Sequence, residues 1–251
     1  MNELLALGLP SYLVILLVLL CAYIIFGVAG FGSALIAGPF LAWYIPVAKI
    51  VPLLALIDLC AAIINVSRDG RSANWPELKR LVPLMMLGSL VGATLLLNIH
   101  PEALMLALGL FVVAYALYAL LGRRPQRTFS PRHAIPFGSV GGVCSALFGS
   151  GGFIYAIYLS GRLPDKNAMR TTQVTLIGLS TLTRVVLFAL AGVYLDTSVL
   201  WLAVCLAPGM IMGVVIGRRL TLKMSREQFL KVINVVVLAA GVMLVVRYFV
   251  G

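Results

Sequence analysis

Two charged residues stand inside apolar runs where charge is costly, and they carry most of the chemistry this sequence can do. Arg184 lies well within the apolar stretch 171–193, with Thr181 and Thr183 beside it. As a planar donor fork it suits a sulfonate, sulfite or carboxylate better than a lysine would. The alternative is a structural role, either snorkelling to an interface or pairing with Asp58. Asp58 sits in the middle of the apolar stretch 50–67, with Asn65 about two turns further on. It reads equally as a proton-coupling carboxylate and as the partner of Arg184, and the two roles are compatible.

A glycine signature occurs twice: Phe26-Gly-Val-Ala-Gly-Phe31 and, 122 residues later, Phe148-Gly-Ser-Gly-Gly-Phe153. Pro83, Gly88, Gly92 and Glu102 then recur as Pro208, Gly213, Gly217 and Glu227 at a constant offset of 125. Scattered glycine is common in membrane helices for packing, and the pairs Gly88/Gly92 and Gly213/Gly217 read as such faces, within one protomer or between two. Recurrence in register points instead to a duplicated unit, 1–125 and 126–251, in one membrane domain. A homodimer stays open.

These residues must be positioned by helices. The chain is 62% hydrophobic and 11% charged, with mean hydropathy +1.08, far from the averages of soluble domains. Its apolar runs are continuous and about 20 residues long, which excludes a β-barrel. The first run, from Ser11, lacks a charged n-region and a small-residue cleavage site, so no removable signal peptide is expected. The net charge of +11 would suggest nucleic acid in a soluble chain, but 16 of the 19 Lys and Arg residues fall in segments 68–80, 123–133, 162–170 and 218–231. These read as topology signals, all four on the cytoplasmic side, with the segments at 99–102 and 194–198 outside.

Helices over 50–67, 81–99, 103–122, 171–193, 199–217 and 229–250 then cross singly. Segment 134–161 must leave the cytoplasm and return within about 28 residues, too few for two crossings of about 20 each. It is expected to form a re-entrant or short-helix hairpin turning at 149–152, and 11–45 to do the same from the other side, turning at 27–32. The expected fold is an all-α integral membrane protein of two inverted repeats, each such a hairpin plus three transmembrane helices. Irregular backbone at membrane depth needs protein or a watery cavity around it. Two second arms starting near Ser33 and Phe153 would aim free N–H groups and positive dipole ends at an anion.

The candidate substrate-binding residues are Arg184, Gly27, Gly30, Gly32, Ser33, Gly149, Ser150, Gly151, Gly152, Tyr155, Gln173 and Arg170, with Asp58 and Asn65 as coupling residues. Ser33, Ser145 and Ser150 flank the turns and can donate to an oxyanion, or only bond their own backbone. Gln173, in the polar run from Arg170 to Thr175, is deep enough to face a vestibule. Tyr12, Tyr23, Trp43, Tyr44, Trp75 and Trp201 read as interfacial belt residues. Cys21, Cys60, Cys144 and Cys205 read as small buried hydrophobes, without metal or disulfide spacing. His100 and His133 carry no ligand pattern, and no cofactor is expected.

The duplicated GxxGFG-type turn, Pro39, and the helix carrying Arg170-Thr-Thr-Gln-Val-Thr-Leu-Ile together resemble the TauE/SafE, or sulfite exporter, family of membrane anion transporters. The resemblance covers nearly the whole length and implies a plasma-membrane exporter or permease for sulfite, sulfoacetate or other organosulfonates. By position, the family's glycine-rich segments correspond to Gly27, Gly30, Gly32 and to Gly149, Gly151, Gly152. Ile154-Tyr155 replaces the small residues and proline of the common pattern, so Tyr155 is expected to narrow the cavity or touch substrate.

No Walker-type motif, nucleophile elbow, paired carboxylates or His/Glu metal pattern occurs, which argues against ATP use and against an enzyme. A secondary transporter of small sulfur anions is the leading expectation, working by alternating access. An anion channel, or a permease for another small anion, is the alternative. The expected partners are a small anionic substrate and membrane lipid, with no nucleic acid.

Overall fold

Capping chemistry fixes where several helices begin in the computed structural model, which describes residues 8–29, 32–69, 73–121, 129–220 and scattered helical positions between 235 and 249. Nine α-helices are described: α1 Gly8–Ala29, α2 Ser33–Leu41, α3 Val47–Asp69, α4 Trp75–Asn98, α5 Pro101–Leu120, α6 Ala134–Phe148, α7 Gly152–Ser160, α8 Lys166–Leu190 and α9 Thr197–Leu220. No strand occurs among the described residues. The helices at Trp75–Asn98, Thr171–Leu190 and Thr197–Gly217 are long and apolar enough to cross a membrane. The chain is an all-helical, multi-pass membrane protein.

Two helices start earlier than their hydropathy suggests. α4 begins at Trp75 and not at 81, because the Asn74 side chain accepts from the Glu77 N–H at 3.1 Å and proline occupies the first turn. This cap draws Lys79 and Arg80, read from the sequence as loop, into the helix. α8 begins at Lys166 and not at 171, because the Asp165 carboxylate accepts from the Ala168 N–H at 2.7 Å. The polar run 166–173 is therefore its first two turns. The expected helix over 229–250 lies mostly outside the described residues.

Both glycine clusters interrupt helices. α6 ends at Phe148 with Gly149 left-handed at φ 69°, and α7 starts at Gly152. In the first half, Gly32 at φ 99° precedes α2. Such φ values favour glycine, which has no Cβ to clash. The first break comes later than the expected turn: Gly27 is still inside α1. α2 and α7 have 9 residues each, about 14 Å of helix.

The most extensive packings are α4 against α6 and α1 against α9, followed by α3 against α8. Exchanging α1–α4 for α6–α9 maps this set of packings onto itself. The backbone contacts explain the glycines. A Cβ on Gly88 or Gly92 would strike the Ser139 or Val143 carbonyl of α6, and one on Gly213 or Gly217 would strike the Leu20 or Ile24 carbonyl of α1. These faces therefore pack within the chain. Residue order makes both pairs parallel, 88 beside 139 and 92 beside 143 in one, 213 beside 20 and 217 beside 24 in the other.

Hydrogen bonds and an ion pair gather the segments at two ends. The Phe129 N–H donates to the Gly161 carbonyl at 2.9 Å, Arg162 reaches the Phe129 carbonyl at 3.0 Å, and the Asn74 N–H donates to Thr172 Oγ1 at 2.8 Å. The described parts of three basic segments thus share one end. At the far end of α8, Lys49 pairs with Asp196 at 3.3 Å and the Tyr194 hydroxyl donates to the Pro52 carbonyl at 3.1 Å.

Trp43, Tyr44, Trp75 and Trp201 are exposed, as a belt requires, but Tyr23 is fully buried. Cys21 and Cys60 are exposed rather than buried, because they lie on outward faces of α1 and α3.

Candidate functional site

α8 presents Ile177, Ser180, Thr181 and Arg184 on one stripe, the i, i+3, i+4, i+7 spacing of a single helix face. All four line a small cavity together with Asp58 of α3 and residues of both breaks, namely Gly32, Ser33, Gly149, Gly151 and Gly152. The breaks meet there. A Cβ on Gly149 would come within 2.6 Å of the Ala34 Cβ, and Arg184 Nη1 lies 3.1 Å from that same position.

Asp58 is 2% exposed and nearly saturated. Its Oδ1 accepts from the Tyr23 hydroxyl at 2.7 Å and from the Ser33 hydroxyl at 2.8 Å. Its Oδ2 faces Arg184 Nη2 at 3.6 Å. Buried charges persist only when paired in this way. The Arg184 side chain is 3% exposed, and Nη2 also donates to Thr181 Oγ1 at 3.1 Å. Its Nε and Nη1 have no hydrogen-bond partner, and neither do the Tyr155 and Ser150 hydroxyls. An unsatisfied buried donor costs about 1–3 kcal/mol. Three such groups, on Arg184 and Tyr155, belong to residues lining the cavity, with Ser150 next to Gly149 and Gly151; Asp58, the carboxylate among the described lining residues, is already hydrogen-bonded.

The rest of the wall is built from α6 and α7. Ser145 and Ser180 hydrogen-bond to each other at 2.7 Å. Tyr155, one turn into α7, lays its ring against Gly141, where any Cβ would collide with it. The Gln173 amide reaches the Gly152 carbonyl at 3.5 Å, so it braces the first turn of α7 instead of facing open space. The cavity has room for about one water.

Of the residues expected from sequence, Arg184, Asp58, Gly32, Ser33, Gly149, Gly151, Gly152 and Tyr155 come together here. Ser150 is buried in the second break beside them. Gly27 does not line the cavity: a Cβ there would lie 2.9 Å from the Val214 carbonyl of α9, so it is a packing glycine. Gly30 lies outside the described residues, as do the side chains of Asn65 and Arg170. Sequence reasoning missed Tyr23, Phe26, Ile177 and Ser180. Their signal was periodic: Ser180 and Ile177 stand four and seven residues before Arg184.

Helices long enough to span a bilayer, two helix breaks that line one cavity, and a buried arginine with unpartnered donors describe a polytopic membrane protein with a polar spot in an apolar bundle. This architecture agrees with a match over residues 15–244 to the family model described as Sulfite exporter TauE/SafE. The chain belongs to that family of membrane transporters. Neither curated proteins nor solved structures gave a match.

Proposed function

We propose that the protein is a secondary transporter that exports a small sulfur-containing anion, such as sulfite, sulfoacetate or another organosulfonate, across the plasma membrane. The observation that carries this reading is Arg184, buried, with Nε and Nη1 unpartnered at the junction of the two breaks. In water-free surroundings each of these unpartnered N–H donors can take an oxygen of an oxyanion in a charge-assisted hydrogen bond. The first turns of α2 and α7 add backbone N–H groups and positive dipole ends. The unpartnered Tyr155 and Ser150 hydroxyls complete the donor set, while Ser33 holds Asp58 in place.

Alternating access by two inverted halves, 1–125 and 126–251, fits the exchange symmetry of the packings. α9 starts beside Asp196, so α1, parallel to it, starts at that end, whereas α6 runs with α4 from the end of Asn74. On this reading the short helices α2 and α7 are re-entrant arms, and the basic segments 68–80, 123–133, 162–170 and 218–231 face the cytoplasm. Asp58, paired to Arg184, is the proton-coupling carboxylate. A cavity with room for about one water favours a carrier in a closed state over an open channel.

The test is flux of labelled sulfite and sulfoacetate in proteoliposomes, with and without Arg184→Lys. Saturable flux that depends on Arg184 is expected. Absence of flux for both anions under imposed pH and voltage gradients would send the substrate assignment to a wider anion screen.

A further inference from the structure

A second buried carboxylate lies away from the cavity. Glu77, in the first turn of α4, is 3% exposed. Its Oε1 accepts from Arg162 Nη2 at 2.7 Å, Arg162 Nε at 3.0 Å and Arg80 Nη1 at 2.7 Å, and its Oε2 accepts from the Tyr158 hydroxyl at 2.7 Å. Arg162 in turn donates from Nη1 to the Phe129 carbonyl. One carboxylate thus ties the start of α4 to the end of α7 and to the segment entering α6.

The partners matter because of which helix they hold. α7 begins at the cavity with Gly152 and Tyr155, and one turn later Tyr158 is bound to Glu77. Between the cavity and Glu77 the space is filled by an apolar cluster that includes Leu81, Met85, Tyr155, Tyr158 and Leu176. This cluster separates Arg184 from this end among the described residues, and Glu77 bonds Tyr158 of α7 and Arg162 just beyond it. Among the described residues, the ion pair at the opposite end is Lys49–Asp196, 33% and 46% exposed, and solvent-exposed pairs hold weakly.

We infer that Glu77, through Tyr158 and Arg162, is the positioning residue that latches α7 and closes the central cavity toward the end of the molecule bearing the basic segments. The inference rests on the central cavity being the transport site. Charge-assisted bonds of this kind are about twice as strong as neutral ones, so Glu77→Gln keeps the shape and one acceptor while loosening the latch.

The experiment reads access directly and needs no substrate. In full-length protein with Cys21, Cys60, Cys144 and Cys205 replaced by alanine, Ser180→Cys places a thiol on the cavity wall. A charged, membrane-impermeant methanethiosulfonate reagent is added to proteoliposomes from one face at a time. Glu77→Gln is expected to raise the labelling rate about fivefold or more from the face of the basic segments, the effect of about 1 kcal/mol on a closed–open equilibrium. The rate from the other face stays the same. Tyr158→Phe should give a smaller rise with the same sidedness, and it decides the matter if Glu77→Gln does not insert. Unchanged labelling, or an equal rise from both faces, overturns the latch. Because no anion is involved, that result is separable from failure of the substrate assignment.

Discussion

Arg184 faces Asp58 with a single nitrogen, Nη2 at 3.6 Å from Oδ2, while its Nε and Nη1 bond to nothing. The separation is too long for a hydrogen bond but short enough for charge compensation. The pair therefore keeps a cation inside an apolar bundle without using up its donors. Asp58 stays in place because Tyr23 and Ser33, from the helices on either side of the first break, both donate to its other oxygen.

Arg184→Lys should keep the protein folded, since Asp58 retains a counter-charge, but it replaces a planar fork with a point charge. Losing one charged hydrogen bond to the anion, about 1.5–3 kcal/mol, predicts a rise in KM of about tenfold or more with little change in Tm. Concentration dependence of flux, paired with a thermal melt, checks both halves. An unchanged KM would remove Arg184 from the binding site.

Much of this site was legible because membrane depth makes polarity conspicuous: Arg184, Asp58 and the two glycine clusters stand out against apolar runs and do meet. What stayed hidden depends on direction, which hydropathy does not carry. Tyr23 reads as a belt residue until its hydroxyl is seen bonded to Asp58. Gly27 reads as part of a turn, yet it serves the α1–α9 contact. Glu77 was lost among the basic residues of segment 68–80, although Asn74 three residues earlier announces a helix cap there.

Gly151→Val should insert into the membrane but abolish flux. A Cβ at this position meets the Gly141 carbonyl of α6 and comes within 2.9 Å of the Ser145 side chain. Backbone cannot yield as a flexible side chain does, so α7 must separate from α6 and the donors around Arg184 lose register. Membrane-fraction yield and flux measured together check this. Normal flux in the variant would show that the second break need not be close-packed.

Asp196 sets a small acid-side stability term. The Ser198 hydroxyl and N–H, and then Lys49, hold its carboxyl below the usual aspartate range. A folded value below the unfolded value of about 3.9 means that the contribution is present at neutral pH and is lost as pH falls through the folded value. The Tm of the parent should therefore exceed that of Asp196→Asn slightly at pH 7, and the gap should close below about pH 4. Melts of both proteins across this range give the answer, and a gap that widens in acid would contradict the assigned direction.

Asp58→Asn separates the two roles of the buried carboxylate. The asparagine oxygen can still accept from Tyr23 or Ser33, but Arg184 is left without a counter-charge, and breaking a buried pair costs about 3–5 kcal/mol. The variant should melt lower than the parent. A transported anion supplies the missing negative charge beside Arg184, so added sulfite should raise the Tm of the variant more than that of the parent, by ligand linkage. If Asp58 also carries the coupling proton, flux through the variant should no longer respond to an imposed pH gradient. A lower Tm with the pH response intact would make Asp58 a counter-ion only, and the proton would have to travel with the anion itself.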